Sequence, residues 1–175
     1  MKRFAAIGTA LMLAAACGSD SPTTPSGNSG PIIFTAQLSA ANEVPPITNA
    51  DANARGTVTV TFNVPRDSAT GAVTGGGSVT FQAQMQGFPA GQIIRNAHIH
   101  TGASGIPGPV LVDTTLTPAS PITLDSNGTG TLNLTNSSLS QGDATNIVAN
   151  PAGFYFNIHS ATNTGGAIRG QLVRQ

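Results

Sequence analysis

The chain has 175 residues, of which only 8 % are charged and none is tryptophan. Seven basic residues balance seven acidic ones, and removal of Lys2 and Arg3 with an N-terminal leader would leave five basic residues against seven acidic ones. This charge excludes the basic surface that nucleic acid requires, so we expect no nucleic-acid partner. Glycine, threonine, serine, asparagine and proline are frequent, which disfavours long helices and predicts a single all-β domain.

Residues 1–16 have the arrangement of a signal peptide. Lys2 and Arg3 precede an apolar stretch from Phe4 to Ala16. This stretch is too short to cross a hydrocarbon core, which needs roughly 20 apolar residues. We therefore predict that the leader directs export and is cleaved, and that it is not retained as a membrane helix.

Cys17 follows the leader directly and is the only cysteine, so it cannot form an intramolecular disulfide. The stretch Leu13–Cys17 resembles the lipobox of bacterial lipoproteins, although those motifs usually place the leucine one position closer to the cysteine. The resemblance implies acylation of Cys17 and a lipid anchor in the membrane. Gly18 is compatible with sorting to the outer membrane or cell surface. The alternative is an ordinary secretory signal cleaved near Ala16.

Residues 17–31 are rich in serine, proline, glycine and threonine and contain almost no apolar side chains. Such a segment cannot bury enough surface to offset the entropy lost on ordering. We predict that it is a lipid-anchored tether on the periplasmic or extracellular side of the membrane. The folded domain is then expected to comprise residues 32–175.

Apolar and polar residues alternate from Ile32 onward, as they do in half-buried strands. Clusters of glycine, proline, asparagine and aspartate separate the alternating segments. About eight strands at this spacing predict an antiparallel Greek-key β-sandwich or flattened barrel. Ser137–Ala149 is the one segment where we expect a short helix. The predicted strands are 32–38, 57–62, 79–85, 93–101, 109–116, 130–134, 153–159 and 167–173.

All three histidines fall on the polar faces of predicted strands. On an extended chain His98 and His100 share one face, opposite Ala97 and Ile99. In the segment that ends at His159, two phenylalanines and an isoleucine occupy the other face, which leaves this histidine on the polar side. Arg169 likewise takes the polar side of the last predicted strand.

The histidine pattern has two interpretations. A His-x-His pair on one strand face places its side chains roughly 7 Å apart, close enough for both to bind one ion. A third histidine from a neighbouring strand would complete a three-nitrogen site suited to copper or zinc. Alternatively, the histidines are partly exposed or hydrogen-bonded and orient loops. No carboxylate is close to them in sequence, since Glu43, the only glutamate, lies in the first predicted loop.

Three blocks of the sequence carry a family resemblance. They are Phe34–Leu38 with Asn42–Pro46, Ala97–His100 with Gly102 and Gly105–Val110, and Tyr155–His159 with Gly166–Leu172. In this order they resemble the CHRD domain, named for chordin, from about residue 32 to residue 173. In chordin such modules belong to a secreted antagonist of bone morphogenetic proteins. That activity is not carried over, because nothing here resembles chordin's cysteine-rich modules.

A weaker resemblance connects the same residues to copper/zinc superoxide dismutases, which are also Greek-key β proteins. It implies copper ligation by His98, His100 and His159 and attraction of an anion by Arg169. The bridging histidine, the zinc ligands and the cysteine pair of those enzymes have no counterparts in this sequence. The resemblance is therefore limited to a mononuclear copper or zinc site.

We predict an exported, lipid-anchored CHRD-domain protein of the cell envelope that acts as a binding or structural module for an extracellular protein or polymer. No residue is assigned a catalytic role. The alternative is a mononuclear copper or zinc protein, redox-active in the manner of superoxide dismutase, that uses the three histidines. The alternative requires their imidazoles to lie within about 4 Å of a common point.

Overall fold

The computed structural model of the protein describes residues 30–175. The predicted signal peptide and nearly all of the predicted tether, including Cys17, lie outside these residues. In the described range, one helix, α1 (Gln141–Ala149), and two 3-10 helices, Ala40–Asn42 and Pro151–Gly153, connect the strands. The strands are β1 (Ile32–Ser39), β2 (Arg55–Asn63), β3 (Gly77–Gln86), β4 (Ile93–Thr101), β5 (Val110–Asp113), β6 (Ile122–Thr123), β7 (Gly130–Leu139), β8 (Phe154–Ser160), β9 (Ile168–Gln171) and β10 (Val173–Arg174).

The strands form one antiparallel sheet in the order β5-β4-β8-β9-β1-β2-β3-β7. The two ends of this order, β5 and β7, contact each other, so the sheet is nearly closed into a barrel. The chain passes from β3 to β4 across the strands that lie between them, which is a Greek-key connection. The predicted all-β class and flattened Greek-key barrel are confirmed. No helix in the described range is long and apolar enough to cross a membrane.

The barrel interior contains the apolar face of each strand. Phe34 and Phe62 pack with ring centroids 4.9 Å apart, and Phe81 packs against Phe156 at 5.5 Å. All four rings are fully buried. Each contributes roughly 1.5–3 kcal/mol to folding by leaving water. The period-two alternation of the sequence therefore defines this core.

The segment expected to contain a helix divides between two elements. β7 continues to Leu139 because Ser137 and Leu139 are both buried on its inner side. The helix begins after Ser140, whose hydroxyl oxygen accepts a hydrogen bond of 3.0 Å from the backbone N–H of Asp143. This contact is an N-cap, and it explains why the helix starts there.

Three loops cover the outer face of the sheet at β4, β8 and β9. They comprise residues 40–54, 102–109 and 161–167. As a result every residue of β8 is buried, on the polar face as well as on the apolar one. The domain thus has a second, polar interior between the barrel and these loops, and the three histidines lie there.

Candidate metal site

The pairing of β4 with β8 brings the three histidines together. In the register of these strands Asn96 lies opposite His159 and His98 lies opposite Asn157. One ring nitrogen from each of the three histidines lies within 4.8 Å of the other two. Some point is then no more than about 2.8 Å from all three nitrogens. Metal–nitrogen bonds are about 2.0–2.1 Å long, so small ring movements would complete a site.

The hydrogen bonds of the other ring nitrogens decide which nitrogens face the centre. His100 Nδ1 lies 3.0 Å from the carbonyl oxygen of Gly108, and His159 Nδ1 lies 2.9 Å from that of Thr164. A carbonyl can only accept, so both Nδ1 atoms carry the proton and both Nε2 atoms keep a lone pair. His98 Nδ1 lies 3.2 Å from His159 Nε2, an acceptor, and donates a hydrogen bond to it. His98 Nε2 lies 3.3 Å from Asp113 Oδ1, so a shift of the proton to Nε2, where Asp113 would accept it, would free Nδ1 as the third ligand nitrogen.

Among the described residues, the nitrogens that face the centre have at most one another as hydrogen-bond partners. The hydrogen bond between His98 Nδ1 and His159 Nε2 occupies two of them. His100 Nε2 is buried and has no hydrogen-bond partner in residues 30–175. A buried unsatisfied acceptor costs about 1–3 kcal/mol. A cation between the three nitrogens would satisfy all of them.

The surroundings keep the three imidazoles neutral. The pKa of His98 is lowered to about 4, first by burial and then by the neighbouring His159. Burial is also the main cause that lowers the pKa values of His100 and His159. Neutral imidazole is the form that ligates metals, so at neutral pH the site needs no deprotonation before an ion binds.

Tyr155 holds the loop that orients His100. Its ring stacks on that of His100, with centroids 4.9 Å apart and planes within 6° of parallel. Its hydroxyl accepts a hydrogen bond of 3.2 Å from the backbone N–H of Gly108. A side chain at Gly108 would collide with the carbonyl oxygen of Thr101, so only glycine lets this loop lie so close to β4.

A family model for the CHRD domain matches residues 34–172. The chain belongs to the CHRD domain family. The match includes all three histidines and Arg169, so the metal-site candidates lie inside the shared region of this CHRD domain. No curated protein matches the chain.

Asp51 supports the histidine site of this CHRD domain. No pattern in the sequence around Asp51 predicted this role. Its carboxylate is fully buried and accepts hydrogen bonds of 2.6 Å from the Ser160 hydroxyl and of 2.6 Å from the Asn163 side chain. Ser160 follows His159, and Asn163 precedes Thr164, whose carbonyl accepts from His159. The aspartate therefore positions the turn that orients one of the three imidazoles.

Arg169 lies near the histidines but is not one of the groups that converge. It is opposite Asn157 in the register of β8 and β9, and it is 3 % exposed. Its guanidinium carbon lies 4.5 Å from the centroid of the Tyr155 ring, and its Nε donates a hydrogen bond of 2.6 Å to the carbonyl oxygen of Asn42. Tyr155 thus contacts both Arg169 and His100.

Proposed function

We propose that this CHRD domain binds one transition-metal ion, copper or zinc, through His98 Nδ1, His100 Nε2 and His159 Nε2. The observation that supports this proposal is the approach of these three nitrogens to within 4.8 Å of one another. Three imidazole nitrogens with a further position open to solvent or ligand suit both metals.

The surrounding hydrogen bonds favour a metal site over a purely structural role for the histidines. In a structural role, each ring nitrogen would be expected to have a hydrogen-bond partner. Here the carbonyls of Gly108 and Thr164 hold His100 and His159 at the nitrogen remote from the centre, and His98 Nε2 lies 3.3 Å from Asp113. Among the described residues, His100 Nε2 has no hydrogen-bond partner. Acceptors at the remote nitrogen fix the tautomer and raise the basicity of the ligating nitrogen.

Solvent reaches the site from the side of His98. The His98 side chain is 14 % exposed and its partner Asp113 is 73 % exposed, whereas His100 and His159 are buried. A fourth ligand or a small substrate would therefore approach past His98. Redox chemistry of the superoxide dismutase type stays a prediction that rests on the resemblance alone.

The metal proposal predicts stabilisation by copper or zinc. Untagged metal-free protein should melt at a higher temperature when Cu(II) or Zn(II) is added, because an ion that binds only the folded state adds about 2.7 kcal/mol at a hundredfold excess over Kd. Affinity should fall as the pH approaches the lowered pKa of His98, about 4, because protons then compete with the ion for the imidazole nitrogens. Calorimetric titration and thermal unfolding would measure both effects.

The control is the variant with alanine at positions 98, 100 and 159, which has no histidine left. It should show no metal-dependent rise in melting temperature. An equal rise in this variant, or no rise in the wild type, would falsify the proposal.

We also propose that the chain is exported and anchored in the cell envelope by a lipid at Cys17. The charged start, the short apolar stretch and the lipobox-like end of the leader support this proposal. Cys17→Ser should release the domain from the membrane fraction or leave the precursor unprocessed, as seen by fractionation and immunoblotting. A processed Cys17→Ser protein that stays in the membrane fraction would contradict lipidation.

A binding or structural role toward an extracellular protein or polymer also stays a proposal. A groove of about 540 Å³ lies over β1, β2, β3 and β7. Apart from Arg55 its polar side chains are uncharged, as in Gln37, Thr57, Gln84 and Thr131. Hydroxyl and amide groups of this kind would hydrogen-bond a neutral polymer and would not attract a charged one.

A further inference from the structure

A second pocket, separate from the histidines, opens between two of the covering loops. It has a volume of about 320 Å³ and lies between residues 41–46 and 104–105, with β9 as its floor. Its rim includes the apolar side chains of Val44 and Pro46, and Val44 is 43 % exposed. Glu43 and Arg169 line it as well, and they are only 7 % and 3 % exposed.

Three buried polar atoms of Glu43, Arg169 and the neighbouring Asn157 have no hydrogen-bond partner among the described residues. They are Glu43 Oε1, Asn157 Oδ1 and Arg169 Nη2. The same side chains are held at their other polar atoms: Asn157 Nδ2 donates to Glu43 Oε2 at 3.4 Å, and Arg169 Nε donates to the backbone. Gly166 is packed on this cluster, since a Cβ there would lie 2.8 Å from Glu43 Oε2. The side chains of Glu43, Asn157 and Arg169 are therefore held in place, but each has one polar atom without a hydrogen bond.

Glu43 and Arg169 do not meet as an ion pair, although both are buried beside the same pocket. Burial raises the pKa of Glu43 to about 7, and the nearby Arg169 reduces that rise without cancelling it. Tyr155 and His100 also face Arg169, from β8 and β4. Below about pH 7 the pocket thus combines a neutral carboxyl group, which can donate a hydrogen bond, with a permanent positive charge.

We propose that this pocket binds a small organic monocarboxylate. The carboxylate of the ligand accepts hydrogen bonds from the guanidinium of Arg169 and from the protonated carboxyl of Glu43, which both line the pocket, and its short apolar tail packs on Val44 and Pro46. The volume lies at the lower end of the range for small-molecule sites, about 300–1,000 Å³. None of the three histidines lines the pocket, so this proposal stands apart from the metal proposal.

Butyrate is a suitable probe, and butyramide is its uncharged counterpart. Titration of the metal-free domain with butyrate at about pH 6, followed by two-dimensional NMR, should give saturable shifts for Glu43, Gly105 and the Arg169 side chain, whereas butyramide should not. Arg169→Gln should weaken butyrate binding by about tenfold or more, because a charge-assisted hydrogen bond is lost. The exposed Arg174→Gln is the matched control and should bind as the wild type does.

The pH dependence tests the role of Glu43 with a variant that keeps its shape. Wild-type affinity should fall between about pH 6 and pH 8 as Glu43 loses its proton, while Glu43→Gln should bind equally well across that range. The amide of the variant still donates a hydrogen bond, so it should remain folded and competent. The proposal is wrong if butyrate gives no saturable shifts, if butyramide shifts the same residues, or if wild type and Glu43→Gln share one pH profile.

Discussion

Glu43 is a single residue whose ionisation opposes folding. The residue is 7 % exposed, and loss of solvation raises the pKa of its carboxyl group from 4.5 to about 7. In the unfolded chain the group ionises near the ordinary value. Between these two values the folded domain holds a proton that the unfolded chain has released, so this residue makes folding less favourable as the pH rises.

Glu43→Gln should remove this dependence. We expect the variant to be more stable than the wild type by about 1–2 kcal/mol at about pH 8, with a difference that shrinks toward about pH 5. Urea unfolding followed by circular dichroism at several pH values would measure it. The acid end is an internal control, because there both proteins have a neutral side chain at this position. Parallel stability curves for the two proteins would contradict the assignment.

At the scale of elements, β8 contributes side chains both to the apolar core of the barrel and to the polar interior under the covering loops. Phe154, Phe156 and Ile158 are buried against the barrel core, while Tyr155 and His159 face the covering loops. Alternation along a strand sends successive side chains to opposite faces, so burial of both faces requires something to cover the outer one. The loops between strands provide that cover and supply the carbonyl oxygens that orient the histidines.

The turn after β8 gives an element-scale prediction about the metal site. Ser160 and Asn163 both donate to Asp51 Oδ2, while Gln92, which also holds Thr162, donates to Oδ1. Asp51→Asn puts an NH2 group in place of one of these oxygens, so hydrogen bonds at one of the two positions are lost and the turn that presents Thr164 should loosen. We expect metal affinity to fall by about tenfold, the lower end of the effect of outer-shell partners. Calorimetric titration below the melting temperature of the variant would measure the change.

Asp125→Asn is a matched control for that substitution. Asp125 also organises a turn, through the hydroxyl and the backbone N–H of Thr129, but it does not contact the histidine site. It should lower stability while leaving metal affinity unchanged. If both variants lost affinity to the same extent, the effect would come from general destabilisation and not from the turn beside His159.

At the scale of the whole molecule, the alternation in the sequence predicted the all-β class and most of the strands. The sequence of a strand predicts which residues lie on each of its two faces, because successive side chains point in opposite directions whichever strand it pairs with. That is why His98, His100 and His159 could be placed on polar faces before any pairing was known. The boundary between β7 and α1 was less clear, since a serine-rich segment suits both a strand end and a helix cap.

The sequence by itself thus determined which residues face the barrel core and which histidines were available to a metal. Only the tertiary structure decided that β4 lies next to β8, which joins His159 to a pair about 60 positions earlier in the chain. It also brought Glu43 and Asp51 beside strands more than 100 positions away. Such contacts arise from the order of strands in the sheet and from the paths of loops over its outer face. The alternation within one segment cannot encode the strand order or the loop paths, because both depend on how segments distant in the sequence pack together and exclude water.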